Sequence, residues 1–308
     1  MKKLATLLIL AIFCACNSPK ESDGSSKKVF GNFATETYAQ RSEGYDYIII
    51  SIDSINDQFA SVIIDARKDK KSPTCELEVF ARIVNENTLE FETVGSNTAV
   101  IQSTPEGIVI KTKDESKIDD LSFYCSGGAT LADEYLSVDL AESSEDFWNS
   151  YPQSFELQGI EFNLYASSNF MFNQILVEPS GLEITNRSEV IPFQGQFELA
   201  EIEDLNADGW PELLAMIRSN EGKMSVIGYS VNNGKSMSMI QLPALAEDDP
   251  NASGYMGQDE IRVVENMLVR RFPIYENGKA TEKFRQLQYK LVDGEASRVF
   301  ELDKVTEY

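Results

Sequence analysis

The chain has 308 residues, with 50 acidic and 27 basic side chains, a formal net charge of −23 and no histidine. The lack of histidine excludes a Ser-His-Asp or Cys-His catalytic arrangement and any His-ligated metal within this sequence. The shortage of Lys and Arg argues against nucleic-acid binding, because few cations are left to neutralise phosphates, whereas a cationic protein would be attracted.

The N-terminal segment has the pattern of an export signal. Two lysines precede an apolar stretch at 4–13, which is too short to span a bilayer but suits a signal-peptide core. Cys16 follows an alanine, which resembles the lipobox of bacterial lipoproteins; the alternative is a plain secretory signal. We expect a signal peptide at 1–15, a lipid on Cys16 and a flexible tether at 16–29. The protein would then be lipid-anchored to the outer membrane of a diderm bacterium, on its periplasmic or surface face.

Two further cysteines, Cys75 and Cys125, lie in the first half of the chain. The export signal implies an oxidising compartment, where two cysteines in one domain pair more often than they stay free. We therefore predict a Cys75–Cys125 disulfide. The alternative is a pair of buried thiols in separate strands.

The first half, 30–140, is rich in short β-branched and aromatic runs spaced about ten residues apart, which predicts a small antiparallel barrel or sandwich. Asn56-Asp57 has the composition of a turn between two of these runs. The predicted strands are 45–52, 59–65, 75–84, 88–93, 98–102, 107–110 and 121–125. An acidic, small-residue break follows, and we place a linker at 141–152.

The second half, 153–308, also has strand patterns, so the fold class predicted is mainly β with two antiparallel β domains. The pair Glu265-Asn266 is a two-residue hairpin signal. The segment 175–184 has the pattern of a strand, a turn and a second strand. The other predicted strands are 155–164, 197–202, 212–218, 224–230, 261–264, 267–274 and 284–291.

An acidic turn begins at Asp204. Oxygen-bearing side chains occupy positions 1, 3, 5 and 9 (Asp204, Asn206, Asp208 and Glu212), and Gly209 is at position 6. This spacing suits a loop wrapped around calcium, although position 12 is alanine and an EF-hand is excluded. The alternative is a metal-free turn in which the Asp side chains cap their own backbone. No cofactor is required, and calcium is the one candidate.

The second half resembles the periplasmic inhibitors of invertebrate-type (i-type) lysozyme and their uncharacterised relatives. The segments that carry the resemblance are 200–212, 225–230, Asn233, 235–236, 241–243, 254–260, 263–266, 268–275, 285–291 and 303–305. The resemblance implies a β-sandwich or flattened barrel that offers a loop to the cleft of a lysozyme, an enzyme that works with two carboxylates.

The resemblance places the inhibitory loop directly after the strand that follows the acidic turn. Ser219 and Gly222 are retained there, but the Ser-Gly pair and the tyrosine of the inhibitors are absent. Lys223 lies near the place of the tyrosine and could reach a carboxylate, whereas Glu221 would be repelled by it.

The sequence thus predicts a membrane-anchored, non-enzymatic binding lipoprotein. Its partner would be a protein, either i-type lysozyme or another cationic wall hydrolase, inhibited by insertion of this loop. The alternative is a structural or adhesive surface lipoprotein with a calcium-stabilised β module. A hydrolase built on paired carboxylates is the third hypothesis, and no spacing in the sequence singles out such a pair.

Overall fold

The computed structural model describes residues 29–66, 74–140, 152–169 and 172–308. The predicted signal peptide, the lipidated Cys16 and the tether lie outside the described residues apart from position 29, and so does the predicted linker apart from position 152. Among the described residues, no helix is long and apolar enough to cross a membrane. The predicted fold class, mainly β and antiparallel, is confirmed.

The first half is a closed barrel in which each strand pairs with the next and β1 pairs with β8. The strands are β1 Gly31–Ala34, β2 Ile48–Ser54, β3 Phe59–Ala66, β4 Glu76–Asn85, β5 Thr88–Glu92, β6 Thr98–Ser103, β7 Gly107–Thr112 and β8 Glu134–Ser137. Two 3-10 segments, Glu36–Glu43 and Glu115–Ser122, lie between strands. The predicted turn between β2 and β3 is confirmed, and Asn56 Oδ1 accepts the amide hydrogens of Gln58 and Phe59 at 2.8 Å each.

Apolar side chains fill the barrel. Alternate residues of each strand point inward, as the two-residue period of a strand requires, and Ile50, Ile52, Val62 and Ile64 are fully buried. The predicted disulfide is confirmed: Cys75 and Cys125 are bonded across a sequence separation of 50 residues. In the chain-entropy account, a cross-link over such a loop stabilises the fold by about 4 kcal/mol.

The strand predicted at 121–125 is wrong. Leu121 and Ser122 end the second 3-10 segment, which begins where Asp114 accepts the amide hydrogen of Ser116 at 3.0 Å. The apolar signal of this stretch came from Leu121, which is buried in the barrel core. Cys125 forms an isolated bridge with Cys75, next to β4. The strand that closes the barrel is Glu134–Ser137, which pairs with β7 and β1.

The second half consists of three four-stranded antiparallel meanders stacked face to face. The first sheet contains β9 Gln153–Leu157, β10 Ile160–Ala166, β11 Asn173–Ser180 and β12 Glu189–Phe193. The second contains β13 Gln196–Glu203, β14 Glu212–Arg218, β15 Met224–Asn232 and β16 Ser236–Gln241. The third contains β17 Glu260–Val264, β18 Met267–Glu276, β19 Lys279–Asp293 and β20 Arg298–Glu307.

The middle sheet explains why there are three layers where a sandwich has two. Leu213, Ala215 and Ile217 of β14 pack toward the first sheet, and Leu214 and Met216 pack toward the third. A continuous apolar run is typical of a strand buried on both faces. The stack therefore has two cores, one on each side of the middle sheet.

Two predicted elements of this half need correction, and one is confirmed. The single strand at 155–164 is a hairpin, because Gln158 and Gly159 adopt positive φ (52° and 80°) and turn the chain. In 175–184 the second strand is wrong: β11 ends at Ser180, and Leu182 is buried in a loop. The Glu265-Asn266 hairpin is confirmed between β17 and β18.

Two amide side chains join the barrel to the first sheet. β4 pairs with β5 only from Arg82 to Asn85, so the backbone of its first half needs other partners. Asn169 Oδ1 accepts the Glu78 amide at 2.7 Å and Asn169 Nδ2 donates to the Glu78 carbonyl at 2.6 Å. Gln174 Oε1 accepts the Phe80 amide at 2.9 Å. These side chains continue the ladder that β5 leaves unfinished.

Candidate functional site

The predicted inhibitory loop is the tight connection between β14 and β15. The Ser219 amide donates to the Lys223 carbonyl at 2.8 Å, and the Gly222 amide donates to the Ser219 carbonyl at 2.9 Å. Ser219 Oγ also accepts the Lys223 amide at 3.2 Å. The loop is thus closed by its own hydrogen bonds.

Gly222 is required by its backbone and its neighbours. Its φ of 76° lies in the left-handed region that favours glycine. A Cβ atom there would lie 2.5 Å from Gln258 Nε2. The Gly222 carbonyl accepts the Gln258 amide at 2.8 Å, so the loop is anchored to the segment that precedes the third sheet.

The tip of the loop carries an ion pair. Lys223 Nζ lies 2.8 Å from Glu221 Oε2, and the two side chains are 51% and 74% exposed. The hydrogen bond and charge of Glu221, and more weakly the charges of Glu247 and Asp259, raise the pKa of Lys223. The lysine predicted to face a target is therefore neutralised within its own loop. Because solvent screens an exposed ion pair and weakens it, Glu221 can be exchanged for another partner.

A cleft of about 430 Å³ lies beside this loop, and we call it the Ser219 cleft. Residues 219–225 form one wall and 242–245 the other, with Tyr255 and Arg270 between them. Its volume falls in the range typical of ligand pockets. Sequence reasoning found the first wall through the resemblance. The resemblance also includes Leu242 and Pro243 of the second wall, but it gave them no role in the site.

The base of the cleft is a buried ion pair. Arg270 Nη2 lies 2.6 Å from Asp259 Oδ2, and the side chains are 3% and 0% exposed. Tyr255 Oη accepts from Arg270 at 2.6 Å and donates to Asp259 at 3.2 Å, and burial raises the pKa of Tyr255 to about 12. Removing one charged member of such a group leaves an uncompensated buried charge, so the three side chains stabilise one another.

This group could have been found from the sequence. The two-residue hairpin fixes the register of β17 and β18 and pairs Ile261 with Arg270. Asp259, two residues before Ile261, then lies on the same face and diagonal to Arg270. The register of this hairpin, extended by one residue beyond the start of β17, would have placed Asp259 next to Arg270.

The acidic turn satisfies its own backbone. Asp204 accepts the amide hydrogens of Asp208 at 3.0 Å and Gly209 at 2.9 Å. Asn206 Oδ1 also accepts the Asp208 amide at 3.2 Å, and Asp208 Oδ1 accepts the Trp210 amide at 2.9 Å. These are the contacts of the metal-free turn.

Glu212, the fourth predicted ligand, is buried beneath the turn. It is fully inaccessible to solvent; its carboxylate accepts the Leu205 amide at 2.8 Å and the Ser230 hydroxyl at 2.7 Å. Desolvation by burial is the main cause that raises the pKa of Glu212 to about 7, against the hydrogen bonds and the nearby Arg298, which lower it.

Arg298 of β20 supplies the positive charge at this place. Its guanidinium pairs with Asp208, lies 3.6 Å from Glu212 and 3.4 Å from Asp293, and donates to the Val231 carbonyl at 2.8 Å. No group of three or more Asp, Glu, Cys or His side chains within the described ranges could hold a metal ion. Calcium at Asp204, Asn206, Asp208 and Glu212 stays a prediction, since amide and backbone carbonyl oxygens can also bind this ion. Sequence reasoning missed Arg298 because it lies in the last strand.

Comparison with known proteins gives no family. No family model matches the chain, and no curated protein matches it. Among solved structures, a GH32 beta-fructofuranosidase of Bombyx mori matches with 11% identity and a TM-score of 0.24, covering 83% of this chain and 60% of that one. A mutant of that enzyme in complex with sucrose matches with 9% identity and a TM-score of 0.23, with the same coverage. The chain thus spans less than two thirds of these structures, and likeness at this level carries no argument.

Proposed function

We propose that the chain is a membrane-anchored, non-enzymatic binding protein whose partner is a cationic cell-wall hydrolase, with i-type lysozyme as the first candidate. The lipid anchor rests on the lipobox-like Cys16, and the choice of partner rests on the resemblance of the second half to lysozyme inhibitors. A net charge of −23 would speed the encounter with a basic enzyme.

The observation that carries this proposal is the rigid loop from Ser219 to Lys223 at the edge of an open cleft. Its backbone is fixed by internal hydrogen bonds and by Gln258, so little conformational entropy is lost on binding. Its exposed Lys223 can leave Glu221 and pair with a catalytic carboxylate of the target at small cost. A loop with these properties suits the blocking of an active-site cleft.

The arrangement of ionisable groups favours binding over catalysis. Glu212 has a pKa near 7, as a general acid or base would need. However, it is fully buried and bonded to Leu205 and Ser230, so a substrate could not reach it. The Asp259–Arg270 pair is likewise buried and paired. The adhesive alternative with calcium is less favoured, because Arg298 already pairs with the carboxylate of the acidic turn.

The test is inhibition of wall lysis by purified i-, c- and g-type lysozymes, with the full chain in mild detergent at low and moderate salt. We expect inhibition of at least the i-type enzyme, and we expect Lys223→Ala to weaken it about tenfold, as for loss of a charge-assisted hydrogen bond. Lys235→Ala, which removes an exposed lysine from another turn, is the matched control. Failure to inhibit or bind any of the three enzymes would reject the proposal.

A further inference from the structure

The Ser219 cleft has the chemistry of a receptor for a side chain. Pro243 and Ala244 are exposed and Leu245 is half-buried, so the second wall offers apolar surface. Met224 and Leu242 also line the cleft but belong mainly to the buried core. The base is fixed by Arg270 and Tyr255, whose polar groups are engaged with Asp259. A rigid, mainly apolar cleft of about 430 Å³ favours an aliphatic or aromatic side chain over a charged one, because the charged group would be desolvated without a partner.

The charges around the cleft favour a basic neighbour to that side chain. Inside, Lys223 is paired with Glu221 and Arg270 with Asp259, so both cations are neutralised. Just beyond the second wall, Glu247 and Asp248 are exposed, and neither forms an ion pair with any residue that the structure describes. Glu247 is close enough to Lys223 to raise its pKa. Glu247 therefore lies near Lys223 at the edge of the cleft, and Asp248 follows it directly in the sequence.

We propose that the Ser219 cleft receives an apolar side chain of a basic partner protein, and that a Lys or Arg next to that side chain pairs with Glu247 and Asp248. This inference rests on the proposed function and extends it, because each protein then inserts a group into a cleft of the other. The loop contacts the partner's cleft, and the partner fills a cleft in this protein. Such a buried apolar anchor with a charged rim is the usual arrangement of a binding hot spot.

Two variants of the full chain test the inference. Ala244→Trp would fill the cleft from an exposed position in its second wall, and Ala246→Trp is the matched control, since Ala246 is exposed in the same segment and does not line the cleft. The double change Glu247→Lys with Asp248→Lys reverses the charge at the mouth. Its control is Glu156→Lys with Glu183→Lys, which changes the net charge equally. Glu156 lies in β9 and Glu183 in the loop between β11 and β12, and both are exposed.

Binding is measured against the three lysozymes and against labelled Lys-Lys-X-Lys-Lys peptides, with X as Leu, Trp or Gly. We expect the Leu and Trp peptides to bind at least tenfold more tightly than the Gly peptide. Ala244→Trp should weaken binding at least tenfold, mainly through faster dissociation. The charge reversal should slow association about tenfold at low salt, and both controls should stay within twofold. Melting temperatures of all variants confirm folding.

The outcomes separate the two claims. If a lysozyme binds and Ala244→Trp changes nothing, the inference is overturned and the proposed function stands. If no lysozyme binds but the peptides bind with the expected preference and lose it in Ala244→Trp, the inference stands and the choice of lysozyme is rejected. If the wild-type chain binds neither probe, both are rejected.

Discussion

Replacement of Glu212 by Gln should change how the stability of the chain depends on pH. Glu212 has a folded-state pKa of about 7, against an ordinary value of 4.5. The folded protein therefore binds this proton more tightly than the unfolded chain does. The stabilisation is complete below pH 4.5 and is lost as the pH rises through 7, because the buried carboxyl must then be charged.

The size of the effect follows from the shift. A difference of about 2.5 pH units between the two pKa values corresponds to about 3 kcal/mol of unfolding free energy, at 1.36 kcal/mol for each unit. Gln has nearly the same shape and cannot ionise. The unfolding free energy of Glu212→Gln minus that of the wild type should therefore rise by about 3 kcal/mol between pH 4.5 and pH 8.

Urea unfolding followed by tryptophan fluorescence measures this difference. The chain has two tryptophans, and Trp148→Phe leaves Trp210, whose ring contacts Gly234 near the acidic turn, as the reporter. Full-length chains in this background are unfolded at several pH values with and without Glu212→Gln. The control is Glu156→Gln, which removes an exposed carboxyl from the first sheet.

A difference between Glu212→Gln and the wild type that stays constant from pH 4.5 to pH 8 would show that folding does not raise the pKa of Glu212. A difference that falls with rising pH would be equally damaging, since it would mean that the folded state favours the charged carboxylate. A pH dependence equal to that of Glu156→Gln would show that burial of Glu212 is not its cause.

Three further changes test other parts of the structure. Arg298→Met leaves the carboxylates around it without their cation and should lower stability by about 3 kcal/mol, while EDTA should leave the melting temperature of the wild type unchanged. Replacing Cys75 and Cys125 by Ala should cost about 2–4 kcal/mol by urea unfolding of the barrel, and an unchanged midpoint would contradict the disulfide. Gly222→Ala should lower the unfolding free energy by about 1–2 kcal/mol. Adding Gln258→Ala to this variant should restore only the part lost to the steric clash, because φ at position 222 stays positive. Full recovery of stability in the double variant would argue against backbone strain.

Much of the fold could be predicted because its signals are local. The alternation in β4 and the apolar run of β14 are set by which faces are buried. The strand predicted at 121–125 failed because one buried residue, Leu121, imitates a strand when its partner surface is unknown. The second half was expected to be a β-sandwich or flattened barrel and contains three stacked sheets. The reason is similar, since the sequence does not tell how many sheets pack against a strand.

The candidate site was predicted only in part. The resemblance located the loop from Ser219 to Lys223, and the spacing of the acidic turn located its oxygens. Neither could reveal that Lys223 pairs with Glu221, because both side chains are long and their contact depends on the loop conformation. The contact of Arg298 with the acidic turn could not be predicted for another reason. It forms only when the third sheet packs on the second.

The most direct test of the central claim is a titration of i-type lysozyme with the full chain, with wall lysis as the readout. Loop insertion predicts inhibition that reaches its end point at about one chain per enzyme, weakens as salt is raised, and is reduced about tenfold by Lys223→Ala. Undiminished lysis at a large excess of the chain and low salt, with no complex detected, would contradict it.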